Sequence, residues 1–255
     1  MNNLQNKVDV QLACYEEVYK ESRIFHEYHR KDKLTVFLRN RRLKKGLQYL
    51  ENRFLDDSIR KWKVLIVCGG PGSEGLFFLN SGFNDVTVSD FSLNAIEIAK
   101  TLNNNLKTLV INAESISLED NSYDLVVVQD GLHHLTRPAL GFTEMLRVAK
   151  RAIIVIEPYE SLIGKYFGTE WEVVGTSINY VYRWNVKMVE QIVKSYLLKG
   201  YKSIKVFRLW DHSLFLLKLT KVLPDSKRLY VIKFIYKLIS IFNNLGNMMV
   251  CIVLK

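Results

Sequence analysis

The chain has 255 residues, 48% hydrophobic and 24% charged. That balance is ordinary for a soluble globular protein, and the length suffices to bury a core without metal or disulfide staples. Three widely spaced cysteines, Cys14, Cys68 and Cys251, suggest neither a disulfide framework nor a zinc cluster, so no metal site is expected and a reducing compartment fits best. The formal charge of +10 permits attraction to nucleic acid, anionic lipid or an acidic small molecule without choosing among them. Met1 to Gln11 are polar, unlike a secretory signal. No run reaches the ~20 apolar residues of a membrane span, and a cytoplasmic location is expected.

With only four prolines, the chain reads as densely structured. Residues 1–60 are expected to be helical, an extension or cap, because Val18, Ile24 and Phe25, then Leu43, Leu47 and Leu50, recur at helical intervals. The basic run Arg39-Asn-Arg-Arg-Leu-Lys-Lys45 between them reads first as a solvated helix face, with anion binding as the alternative. Short apolar runs follow: Val64 to Val67, Val86 to Val88, Thr108 to Ile111, Leu125 to Val128 and Ala152 to Ile156. Helical stretches at Glu74 to Leu79, Ser92 to Leu102 and Ala139 to Ala149 separate most of them. Short buried strands alternating with helices predict an α/β fold with a parallel sheet covered on both faces. A further helix, Val186 to Lys199, leads to strand-like runs at Ile204 to Phe207 and Met248 to Leu254.

The first strand ends in Cys68-Gly69-Gly70-Pro71-Gly72, where an α/β sheet binds its ligand. Glycines there allow a sharp turn and close approach to the backbone, and the next helix offers free N–H groups. Asp90 ends the second strand, where a carboxylate can accept both hydroxyls of a ribose. Gly70 to Gly75 also spells G-x-G-x-x-G, with Asp90 twenty residues on, so a dinucleotide site and a ligand-free tight turn stay open at this point.

The downstream series runs Asn112-Ala113-Glu114 to Asp124, then Gln129-Asp130-Gly-Leu-His133-His134, Glu144-Met-Leu-Arg147 and Ile153-Ile-Val-Ile-Glu157-Pro158. Taken together it resembles the small-molecule, UbiE-like branch of class I S-adenosylmethionine-dependent methyltransferases, over roughly residues 62 to 158. The resemblance implies a Rossmann-like three-layer αβα sandwich with a mostly parallel seven-stranded sheet of order 3-2-1-4-5-7-6 and an antiparallel last strand. It implies a methyltransferase domain over 61–255, with a substrate cap at 159–184 and a helical insertion at 210–243. It also implies S-adenosylmethionine as cofactor and S-adenosylhomocysteine as product. Cys68, Gly69, Gly70 and Gly72 would line the methionine part, Asp90 would hold the ribose, and Phe91 would lie against the adenine. Asn112, Ala113 and Glu114 would meet the adenine side, and Gln129 and Asp130 the sulfonium. The sequence departs from the pattern at three places: Ile66 where an acidic residue is usual, Cys68 where the first loop glycine is usual, and Asn112 where Asp is common.

His134, His133 and Asp130 follow the fourth strand and would face the reaction side. Histidine titrates near neutrality and suits proton removal, so His134 is the first candidate base and His133 the second; ordering of the loop before Pro138 is the competing role. Seven aromatics between Tyr159 and Trp184 can cover an acceptor or belong to the core. Leu214 to Leu223 and Leu229 to Phe242 read as two apolar helices dotted with lysines. They cover the sheet in one reading and touch the inner face of an anionic membrane through 214–242 in the other. The expected acceptor is a small molecule, glycan or lipid-linked group, with nucleic acid disfavoured. A nucleotide-binding oxidoreductase, an RNA methyltransferase and a catalytically inactive binding protein of the same fold stay open as alternatives.

Overall fold

The computed structural model describes residues 2–21, 33–55, 58–174, 177–211 and 220–255. Its strands are β1 (Lys63–Ile66), β2 (Asp85–Asp90), β3 (Leu106–Val110), β4 (Tyr123–Gln129), β5 (Ala149–Pro158), β6 (Trp171–Val174), β7 (Ser177–Tyr180), β8 (Ser203–Leu209) and β9 (Met248–Leu254). Seven of them form one sheet in the order β3-β2-β1-β4-β5-β9-β8, and β6 and β7 form a separate hairpin. Within the seven-stranded sheet β9 runs antiparallel to both β5 and β8, and the remaining pairings are parallel. With the hairpin set aside, this is the expected 3-2-1-4-5-7-6 order.

The strands form where the apolar runs lie because both sheet faces are covered. On one face, Leu43, Leu47 and Leu50 of helix α2 (Lys33–Arg53), which follows α1 (Asn2–Glu21), pack on Val64, Ile66, Ile154 and Val250. Gly46 permits that approach, since a Cβ there would lie 2.9 Å from Ile154 Cγ2. On the same half of the sandwich run α3 (Ser73–Asn80) and, beyond it, α4 (Leu93–Lys100). The opposite face receives Phe142, Met145 and Leu146 of α5 (Pro138–Val148). A short helix α6 (Leu162–Phe167) precedes α7 (Val186–Leu197), whose Val189 and Val193 complete that face.

Of the two helices expected between the last strands, one is present as α8 (Asp225–Ile239), continued by 3-10 turns over Ser240–Leu245. The other, Leu214 to Leu223, falls largely on residues 212–219, outside the described residues. Among the described residues no helix is long and apolar enough to cross a membrane.

The third glycine of the G-x-G-x-x-G run has a packing role. A Cβ on Gly75 would stand 2.5 Å from Val88 and 2.7 Å from Leu106. Gly75→Ala is therefore expected to lose roughly 1–3 kcal/mol through overpacking of α3 against β2 and β3, measured by urea denaturation. An unchanged midpoint would mean that this helix seat is looser than the contacts imply.

Candidate active site

The turn after β1 is built on left-handed backbone. Cys68 has φ +51°, Gly70 +47° and Gly72 +88°. A side chain at φ > 0 is strained, which explains physically why glycine is usual at the place Cys68 occupies. Asp90, at the end of β2, ties this turn down. Its Oδ2 accepts from Gly70 N at 2.9 Å and its Oδ1 from Ser92 N at 3.0 Å. Burial pushes the Asp90 carboxyl above its usual range, and the backbone N–H groups of Ser92, Gly70 and Phe91 oppose the rise. With three backbone donors on its four lone-pair directions, the carboxylate keeps room for a further donor.

Beside this turn lies a cavity of about 130 Å³ lined by Cys68, Asp90, Phe91, Asn112, Ala113, Glu114, Asp130 and His134 among others. Sequence reading had named all eight. Gly69, Gly70, Gly72, Gln129 and His133 stand outside the lining. A Cβ on Gly69 would strike Val88 at 2.7 Å, and one on Gly72 would crowd Ala99 and Leu102 at 3.1 and 3.2 Å, so these two serve the packing of the turn. Gln129 is buried, its Oε1 without a hydrogen bond among the described residues and its Nε2 3.4 Å from Glu74. Asn112 Oδ1 already accepts from Glu114 N at 2.9 Å, and Glu114 holds Arg137 at 2.8 Å.

Sequence reading missed the roof. Val8, Gln11, Tyr15 and Tyr19 of α1 line the same cavity. Gln11, Tyr15 and Tyr19 recur every four residues, which places them on one helix face; that spacing was the available signal. The Tyr15 ring meets Phe91 at 5.7 Å and His134 at 5.9 Å, and its hydroxyl is buried without a hydrogen bond among the described residues. A Cβ on Gly70 would stand 2.9 Å from the Tyr19 hydroxyl. Burial pushes the hydroxyl pKa of both tyrosines far up, so both stay neutral. Glu16 fastens α1 down: its carboxylate accepts from Leu93 N and Asn94 N, at the positive end of α4.

The loop after β4 hangs on one buried carboxylate. Glu157 accepts from Gly131 N (2.9 Å), Leu132 N (2.7 Å) and His133 N (3.3 Å), and pairs with His133 Nδ1 at 2.6 Å. Burial alone would lower the His133 pKa; the Glu157 carboxylate outweighs it and lifts the ring to about 9. His134 behaves oppositely: burial and the adjacent His133 cation hold it below the ordinary histidine value. Its Nδ1 faces Glu172 Oε2 of β6 at 3.2 Å, and Gln11 donates to its carbonyl oxygen.

Asp130, with φ +53°, pairs with the buried guanidinium of Arg42 at 2.7 Å, and Arg42 also reaches Asp211 at 3.0 Å. One member of the basic run in α2 thus points inward. The hairpin reverses the expected orientation of the aromatics. Trp171 and Tyr180 are more than half exposed, whereas Glu172 and Asn179 turn toward His134 and Gln11. Strand alternation is the reason, since neighbours in a strand face opposite sides. Trp184 is fully buried in the core beneath.

Residues 66–156 match a methyltransferase domain family. Over 88 residues the chain is 32% identical to a demethylmenaquinone methyltransferase of Renibacterium salmoninarum, covering 34% of this chain and 37% of that protein. Over 164 residues it is 27% identical to a ubiquinone/menaquinone biosynthesis C-methyltransferase of Azotobacter vinelandii, covering 58% and 63%. The chain thus spans between about a third and two thirds of these relatives. A solved phosphoethanolamine N-methyltransferase 2 of Haemonchus contortus, in complex with S-adenosyl-L-methionine, aligns over 83% of this chain and 52% of its own, with TM-score 0.55 and 19% identity. The chain has the class I methyltransferase fold, and its residues 66–156 match a methyltransferase domain family.

Proposed function

We propose that the protein transfers a methyl group from S-adenosylmethionine to a small-molecule, glycan or lipid-linked acceptor held beneath α1. The observation that carries this reading is the Asp90 carboxylate, 2.9 Å from the bare backbone of Gly70 at the edge of the cavity. The residues fit the cofactor: a carboxylate for a ribose diol, the Phe91 ring for a base, and a Tyr15 hydroxyl without a partner among the described residues. Bound there, S-adenosylmethionine supplies an electrophilic methyl carbon, open to in-line attack. The chain's own task is to align the acceptor and exclude water, and α1 with the β6–β7 hairpin does both.

His134 is the proton acceptor for an acceptor group that must lose a proton. Being held neutral at physiological pH, it can take that proton, whereas His133, already charged below about 9, cannot. His133, Glu157 and Asp130 act as positioning residues for this loop. His134→Gln is expected to lower kcat by about 10²–10³-fold with little change in cofactor affinity. The wild-type rate should fall only below the ordinary histidine range, and the variant should lack that acidic limb. Peripheral contact with the inner face of the membrane through 214–242 would suit an amphiphilic acceptor.

Calorimetric titration with S-adenosylhomocysteine, with NAD as the control, tests the reading. Binding of the first and not the second supports it, since a ligand specific for the native state also raises the melting temperature. A folded sample that binds neither, or only NAD, overturns it.

A further inference from the structure

The basic run of α2 faces two ways. Arg42 turns inward to Asp130 and Asp211, whereas Arg41, Lys44 and Lys45 line a groove of about 690 Å³ between α2, α8 and the 3-10 turns. Lys33 and Lys233 complete its rim, and among the described residues no carboxylate lines it. Among the described residues none of these five cations makes an ion pair; Arg41 lies 4.0 Å over the Tyr236 ring, Lys45 4.4 Å over Phe207 and Lys233 5.4 Å over Phe37. Five like charges around one hollow repel one another unless an anion sits among them.

Next to the groove α8 is apolar on two sides. Ile232 and Tyr236 are buried against Leu34 and Leu38 of α2. Tyr230, Phe234 and Leu238, spaced by four, face solvent, with Tyr230 75% and Phe234 62% exposed; Ile241, Phe242 and Leu245 extend this surface, Ile241 at 77%. Lys227, Lys233 and Lys237 flank it, all exposed. A contiguous apolar patch of this kind marks an interaction surface.

We propose that this face docks on an anionic lipid surface: the groove holds lipid phosphate groups, and the α8 stripe enters the boundary between headgroups and acyl chains. Free phosphate accounts for the cations but not for the stripe. A second copy of the chain accounts for the stripe but would set two like-charged grooves close together. The proposal deepens the membrane side of the proposed function and names the chemistry of the contact; it does not depend on methyl transfer.

Flotation of the full chain with neutral phosphatidylcholine vesicles and with vesicles containing phosphatidylglycerol tests it. The expected result is partition to the anionic vesicles only, weakened by salt. Lys44→Ala with Lys233→Ala should lower that partition roughly 25-fold, about fivefold for each lysine, and Phe234→Ser with Ile241→Ser should abolish it. These side chains are exposed and none of them lines the cavity, so both variants should keep the wild-type melting temperature and bind S-adenosylhomocysteine as the wild type does. Flotation with unaltered S-adenosylhomocysteine binding separates failure here from failure of the proposed function. Three outcomes overturn the proposal: no flotation, equal partition to neutral vesicles, or a dimer that Phe234→Ser disperses in a protein that does not float. Calorimetric binding of inorganic phosphate without flotation would likewise overturn it, by assigning the groove to a free anion.

Discussion

Asp90→Ala is expected to weaken binding of S-adenosylhomocysteine by about 10²–10³-fold in a calorimetric titration. The loss has two parts. Hydrogen bonds to a charged group contribute about 1.5–3 kcal/mol each, and the ribose hydroxyls would lose theirs. The turn itself would also loosen, because Gly70 N and Ser92 N would lose the oxygens that now accept from them. Asp90→Asn retains one acceptor oxygen but turns an amide group toward the other N–H, so it should fall between the alanine variant and the wild type. Affinity of Asp90→Ala within threefold of the wild type would remove the proposed nucleoside seat.

Glu157→Gln should cost about 3–5 kcal/mol in denaturant unfolding, the range for removing one partner of a buried ion pair. Glutamine has nearly the same shape, so the cost comes from charge and donors. Three backbone N–H groups and the His133 ring all direct their hydrogens at this fully buried carboxylate. The pH dependence gives a second signature. His133 has its folded pKa raised from its ordinary value of 6.5 to about 9, so the native state binds the extra proton between these values. Its contribution is fully present below about 6.5 and is lost as pH rises through about 9. Glu157 lies below its ordinary value, since the His133 cation and the hydrogen bonds outweigh the opposing burial. Its share is present above the ordinary carboxylate range and is lost as pH falls through the lowered value. Wild-type stability should therefore decline between pH 6.5 and 9, and Glu157→Gln should show no such slope. Equal slopes in the two proteins would mean that His133 does not carry its charge at this site.

The sheet was legible because strands buried on both faces leave continuous apolar runs, as at Val126 to Val128 and Ile153 to Ile156. The turn was legible because positive φ calls for glycine at Gly70 and Gly72. The β6–β7 hairpin was not legible as strands. Its four-residue strands turn their large apolar side chains to solvent and their polar ones, Glu172 and Asn179, inward, against the usual pattern. The roof was hidden for another reason. Tyr15 and Tyr19 lie more than 70 residues before Phe91 and Asp90 in the chain, and nothing local says which surface their helix face will meet. Arg42 was read as part of a solvated basic face; only the positions of Asp130 and Asp211, both far along the chain from it, show why one of these cations is drawn inward.

The clamp of Glu16 on α4 bears on timing. While it holds, Tyr19 stands over the bare backbone of Gly70, so under the proposed function a nucleoside would settle there once that clasp has let go. Uptake would then be paced by an internal opening and would level off at high ligand concentration. A captured molecule would leave no faster than the same door reopens.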